Sequence, residues 1–401
     1  MKQSFFILFL TCSSLLSQAQ AVKSFPPQER VSKKMAEEMR ASDLPAVVAI
    51  AVNSNGERID YSYGKAIWSE KAPVTPQHIF RIYSMTKLVT SIAAMQMVEK
   101  GLIGLDDDLS AQLPQMTKIP ILSDGKLITP KNRVTLRHLL THTSGFGYSF
   151  TDRELAIFDR SKWEYKDLPR RFESGTQFLY GTSIDWVGRL VEKLSGMDLE
   201  SYFRKNICGP LGMTRTWFNI PDSLKSLIVS RGWRGDDGLH PLTETGDRIP
   251  TKKVSEFSGG GGLFSSPADF TKLLQCMLNY GEWKGVRILK KKTIEEMLKN
   301  QIGNISMANS FSYYVKGSCC NTDGITSAKT KWGLGWLIDN EDKPYGRKAG
   351  TVSWGGLMNT FFYIDYKSGI AVSIYTQHLP FNHPATTSLF AKFSGAVYSA
   401  K

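Results

Sequence analysis

The sequence predicts an α+β fold: an antiparallel sheet drawn from both chain ends, flanked by helices, with a mostly helical region inserted between them. Three features predict it. Strand-like runs lie near the start, at 46–52 and 57–66, and return near the end, at 333–338, 360–365 and 370–375. Between them the apolar spacing turns mostly helical to about residue 210, with Pro- and Gly-bearing loops separating the segments. One helix of this insertion, beginning around Ser84, is apolar on nearly every face, through Met85, Leu88, Val89, Ile92, Met95 and Val98, and so should be buried.

Taken in order, the chain opens with a short basic start, Met1-Lys2, then an apolar run from Phe5 to Leu16 and a small-x-small site, Ala19-Gln20-Ala21. Residues 1–21 therefore read as a secretory signal peptide, because the apolar run is short for a membrane span and a cleavage site follows at once. A periplasmic or secreted protein is expected. No later run approaches 18 apolar residues, so no stable membrane insertion is expected after signal removal. The 401 residues, 41% hydrophobic, suffice for a large core. Loss of Lys2 lowers the formal charge of +13 by one, and the remaining basic residues are spread along the chain. That distribution fits a basic surface near an anionic cell envelope and argues against nucleic acid as a partner. Four cysteines remain, Cys208, Cys276, Cys319 and Cys320, open to three full pairings in an oxidising compartment. With no CxxC and six scattered histidines, no metal site is expected.

The first two strands meet at Asn55-Gly56, a hairpin turn signal. Helices are expected at Leu136 to Thr141, Asp152 to Phe158 and Ser183 to Leu194, the last ending at Ser195-Gly196, with a small hairpin at Ile121 to Ile128. Phe257 to Leu263, with four consecutive glycines, reads as a flexible joint leading to Ser266-Pro267, where serine caps and proline opens a helix to Asn279. A further helix covers Lys292 to Lys299. The polar stretch 303–330 reads as a long surface loop, a candidate lid. Lys367-Ser368-Gly369 joins the last two strands, and Ala385 to Tyr398 closes the chain as a helix. After the signal, the domain reading is a sheet domain in two segments, 22–80 and 255–401, around a mostly helical domain, 81–254.

Ser84-Met85-Thr86-Lys87 carries chemistry because residues three apart on a helix lie side by side, so the Lys87 amine can reach the Ser84 hydroxyl. Burial disfavours an ammonium, which would leave a neutral amine able to activate the serine. The motif alone is weak: roughly one or two copies arise by chance in a chain this long. Ser62-Tyr63-Gly64-Lys65 is a second copy, but it lies on a strand, where positions three apart face opposite sides. The bland reading of Ser84 and Lys87 is a helix cap and a snorkelling lysine.

Several segments in one order decide between these readings. Besides Ser84-Met85-Thr86-Lys87 they are Leu136-Arg137-His138-Leu139-Leu140-Thr141-His142-Thr143-Ser144-Gly145, Gly175-Thr176-Gln177-Phe178-Leu179-Tyr180, the run from Gly259 to Ala268, and Trp354-Gly355-Gly356. Over roughly residues 30–400 the chain resembles the serine β-lactamase and penicillin-binding (DD-peptidase-like) fold, in its class C-related branch, nearest the family VIII carboxylesterases. The resemblance implies Ser84 as nucleophile, with Lys87 and Tyr180 moving its proton. A phenol needs a cationic neighbour such as Lys87 to act as a base near neutral pH. It also implies that the amide of Leu357 joins that of Ser84 as oxyanion hole, that Trp354, Gly355 and Gly356 line the substrate site, and that no cofactor is used. His138 and His142 belong to a segment that the family uses structurally, and no Gly-x-Ser-x-Gly elbow is present.

Two departures bear on substrate. The second motif is Tyr180-Gly181-Thr182, without the usual asparagine, so Thr182 or Ser183 offers only a hydroxyl there. The third has Trp354 where β-lactamases carry a lysine; a competing alignment places Lys348-Ala349-Gly350 there instead. The expected function is an exported serine hydrolase forming a Ser84 acyl-enzyme, a carboxylesterase on small-molecule esters. The alternatives are a β-lactamase or D,D-peptidase acting on carboxylate-bearing amides, or a non-catalytic binding member of the fold.

Overall fold

A computed structural model describes residues 24–40, 42–235, 237–241, 253–308, 310–311, 313–315, 317–319 and 325–399. Residues 1–21, expected to be a signal peptide, lie outside the described residues, as does Cys320. A seven-stranded sheet joins both chain ends. Strands β1 (Ala46–Asn53) and β2 (Arg58–Gly64) come from the start, and β3 (Lys331–Trp332), β4 (Leu337–Asp339), β5 (Thr351–Gly356), β6 (Thr360–Asp365) and β7 (Ile370–Tyr375) from the end. The order is β3-β4-β5-β6-β7-β1-β2, antiparallel throughout, with the two chain ends meeting where Val48 faces Tyr375 and Asn53 faces Ile370.

All eight residues of β1 are buried, because both faces of the sheet are covered. Val48, Ile50 and Val52 point into the main core, which contains helix α2 (Thr86–Glu99), helix α3 (Ser183–Ser195) and helix α4 (Pro267–Leu278). Val47, Ala49 and Ala51 point to the opposite side, against α1 (Gln28–Arg40) and α5 (Pro384–Tyr398). The alternation follows from the two-residue period of a strand. Ser62 lies within the edge strand β2 and Lys65 just beyond its end, so the second Ser-x-x-Lys copy stays on a strand.

Three expectations are corrected. A strand over 333–338 is interrupted, since Gly333–Gly335 turn the chain between β3 and β4, and Gly335 packs against Ser91 of α2. The glycine run is packed wall, not a joint: the Gly259 carbonyl accepts from Thr90 Oγ1 at 2.7 Å, and a Cβ on Gly260 would fall 2.4 Å from the Asp185 carboxylate. The stretch after 303 is not all surface, because Met307 and Phe311 are buried against Phe178, Tyr180 and Trp332. Cys208 and Cys276 are buried thiols that form no disulfide, and burial pushes them up to about 11 and about 12.

Candidate active site

Ser84 lies in a tight turn, Tyr83–Met85, that leads directly into α2. Tyr83 before it holds φ at +43°, a left-handed conformation costly for a tyrosine, so the surroundings must enforce it. The end of β5 packs against this turn. A Cβ on Gly356 would sit 2.2 Å from the Ile82 carbonyl oxygen, and only glycine lets this strand lie against the turn that presents Ser84. Trp354 pairs with Phe362 within β5, while Lys348 stands outside β5 in an exposed pair with Asp342.

Lys87 is 1% exposed and makes three polar contacts through Nζ: Ser84 Oγ at 3.1 Å, the Tyr148 hydroxyl at 3.0 Å and the Gly260 carbonyl at 2.7 Å. Burial pulls the ammonium down, but Tyr148, Tyr180 and Asp185 outweigh it and hold Lys87 above the ordinary lysine range. This direction runs against the neutral amine that burial alone leads one to expect, and the Gly260 carbonyl gives the Lys87 amine a fixed acceptor.

Tyr180 stands beside this amine. Its ring lies 4.7 Å from Lys87 Nζ, and its phenolic oxygen accepts a hydrogen bond from Trp354 Nε1 at 3.0 Å. Aromatic neighbours fix the ring, with His142 at 4.6 Å, Trp354 at 4.8 Å and Tyr148 at 5.7 Å between centroids. Burial and the Lys87 charge hold His142 well below the usual histidine range, so it is neutral packing. His138 closes a capping box with Thr135 at the start of the helix Leu136–Leu140.

Ser84, Tyr180, Trp354, Gly355 and Leu357 all line one cavity of about 610 Å³. Thr182 and Gly356 do not line it. Thr182 is the cap residue of α3, and Ser183 beside it is buried on Ser144, hydroxyl to hydroxyl at 2.8 Å. Neither hydroxyl lines the cavity. Three groups escaped the sequence reading: Tyr148; Gly260; and Asp185, whose Oδ1 accepts from Ser258 Oγ at 2.6 Å and from the Gly260 amide at 3.0 Å. Tyr148 follows the quoted Leu136 to Gly145 segment by three residues, and that adjacency was its only signal. Among the described residues, no group of three or more His, Cys, Asp or Glu side chains is placed to hold a metal ion.

A family model described as beta-lactamase matches residues 31–395. The chain belongs to the beta-lactamase family. Within curated relatives, it is 30% identical over 344 residues to the monacolin J acid methylbutanoyltransferase of Aspergillus terreus, covering 80% of this chain and 81% of that one. It is also 30% identical to the lovastatin esterase of Penicillium rubens, over 82% of this chain and 87% of the relative. Among solved structures, the unliganded simvastatin synthase of Aspergillus terreus superposes with a TM-score of 0.81 at 26% identity, covering 94% of this chain and 98% of that one. EstCE1, described as a hydrolase with promiscuous acyltransferase activity, shares the fold at a TM-score of 0.73 and 22% identity, over 93% and 99% of the two chains. Hydrolases and acyltransferases thus both stand among the beta-lactamase family members similar to this chain.

Proposed function

We propose that this beta-lactamase family member is a serine carboxylesterase acting on small esters through an acyl-enzyme on Ser84. The observation that carries the reading is the buried amine of Lys87 at 3.1 Å from Ser84 Oγ. The Lys87–Tyr180 pair takes the Ser84 proton as Oγ attacks the ester carbonyl. The carbonyl oxygen becomes an oxyanion, held by the backbone amides of Ser84 and Leu357. Collapse of this intermediate breaks the bond to the alcohol, which leaves with the proton from Tyr180. Water, deprotonated by the same Lys87–Tyr180 pair, then releases the acid, and the proton returns to Ser84.

Esters are favoured over β-lactams and D-Ala-D-Ala peptides because the third motif supplies Trp354, whose single N–H is taken by Tyr180, and because Thr182 does not line the cavity. Hydrolysis of an aryl acetate is expected to exceed that of nitrocefin in kcat/KM; the reverse ranking would move the reading to a β-lactamase or peptidase. A fluorophosphonate probe is expected to label the wild type and Ser62→Ala and to miss Ser84→Ala. Failure to label the wild type, beside control hydrolases that label, would favour a binding protein.

Transfer of the acyl group to an alcohol instead of water is the second reading. The aromatic wall of Tyr148, Phe150, Phe311 and Trp354 beside Ser84 favours it, since such a surface suits a bulky acceptor better than water. Chromatography of products with an added alcohol tests it; free acid alone rules it out. Export to the periplasm or medium is part of the proposal and rests on residues 1–21. Cell fractionation with N-terminal sequencing should find a mature chain beginning at Val22.

A further inference from the structure

The cavity that begins at Ser84 does not end near it. It continues over the small side chains Ser353 and Gly355 of β5 to Asp339, Lys343 and Arg347. The strand register gives its reach: Asp339 faces Thr351, five residues along β5 from Gly356. At about 3.3 Å per residue that is about 16 Å, the length of an extended chain of roughly a dozen carbon atoms.

The far end is built. Asp339 is 7% exposed, and its Oδ2 lies 3.0 Å from Lys343 Nζ and 3.7 Å from Arg347. Its Oδ1 is buried and meets no hydrogen-bond partner among the described residues. The Arg347 guanidinium lies 5.0 Å from the centre of the Tyr363 ring, and among the described residues Asp339 is its only acidic neighbour. Both cations stand on one turn, closed by the Lys343 amide on the Arg347 carbonyl at 2.8 Å and pinned at Gly346, where a Cβ would fall 2.6 Å from Tyr398. The nearby charges Glu341, Asp342 and Lys348 are paired at the surface, with Lys329 in the first case and with each other in the second. Two cations and one carboxylate leave the cavity end with one net positive charge.

We propose that this end is a recognition subsite for a carboxylate on the substrate, remote from the scissile ester. The carboxylate pairs with Arg347 and Lys343, whose side chains keep 24% and 31% of their surface exposed, and the intervening chain lies over Ser353 and Gly355. This inference rests on the esterase reading and narrows it to esters with an anionic far terminus.

The test compares p-nitrophenyl dodecanoate with the mono-p-nitrophenyl ester of dodecanedioic acid, which adds only the terminal carboxylate. Wild type is expected to favour the carboxylated ester in kcat/KM. Arg347→Gln should lower that value by roughly 10- to 150-fold, mainly through KM, as loss of a charge-assisted hydrogen bond predicts, with a clearly smaller drop for the neutral ester. Arg347→Lys should recover part of the loss, and Lys343→Gln serves if Arg347→Gln does not fold. Turnover of both esters without preference, or equal losses on both in the variants, overturns the subsite and leaves the esterase reading standing. Turnover of neither, with no acyl adduct on Ser84 by intact mass, overturns both.

Discussion

The indole N–H of Trp354 donates to the phenolic oxygen of Tyr180 at 3.0 Å, joining the end of β5 to the start of α3. This gives the tryptophan a purpose in a position where the family often carries a lysine. It is a positioning residue for the phenol, with no donor left for substrate. Trp354→Phe keeps the ring and removes the bond. A loss of about 2- to 12-fold in kcat on p-nitrophenyl acetate is expected, the value of one neutral hydrogen bond. An undiminished kcat would show that the bond does not matter for turnover.

Lys87 should behave as one unit with its phenols. Lys87→Ala and Tyr180→Phe are each expected to lower kcat by orders of magnitude, with the double variant little worse than either. Tyr148→Phe removes one of the three contacts to the ammonium and should cost roughly 10- to 150-fold. Steady-state kinetics on the single and double variants check this; losses that multiply would mean that Lys87 and Tyr180 act independently.

Gly356→Ala places a methyl group 2.2 Å from the Ile82 carbonyl oxygen and 2.4 Å from Thr360 Oγ1. The first neighbour is backbone and cannot swing away, so β5 and the Ser84 turn must part. A destabilisation of about 1–3 kcal/mol in urea denaturation is expected, with a loss of fluorophosphonate labelling at temperatures where the variant is still folded. Unaltered labelling would show that the close approach does not set the position of Ser84.

Acid should weaken the fold through histidines buried in neutral form. Burial first, then the charge of His383, holds His378 down to about 4, and His378 Nε2 lies 3.1 Å from Thr386 Oγ1. Such a group contributes stability above its unfolded value, and that contribution is lost as pH falls from about 6.5 toward 4, at up to about 1.4 kcal/mol per pH unit. Urea denaturation between pH 7 and pH 4.5 should show this slope, and His378→Gln should make it shallower. An identical slope in the variant would assign the acid sensitivity elsewhere.

Local pattern made much of the fold legible. Strands β6 and β7 and their turn were visible because alternation and Lys367-Ser368-Gly369 agree, and α4 was visible from its Ser266 cap and Pro267 start. The pair Ser84 and Lys87 could be read because both lie on one helical turn. Helix α1 was overlooked: Val31, Met35 and Met39, four apart, are its only buried side chains in an otherwise polar sequence. Composition misled at Gly259 and Gly260, where glycine serves close packing and not freedom, and at Phe311, an apolar anchor in a polar stretch. Tyr148 and Asp339 acquire their meaning from partners far away in the chain, which no local window contains.

The pairing of β1 with β7 fixes the order in which the molecule can be assembled. Strand β1 leaves the ribosome early, yet one of its edges stays unpaired until residues 370–375 have been made. Closing that gap means joining segments separated by nearly the whole chain, an entropically slow step that leaves an apolar strand edge open meanwhile. Truncation anywhere before β7 would therefore remove the central strand partner of β1, and a shortened chain should aggregate instead of forming a smaller native-like sheet.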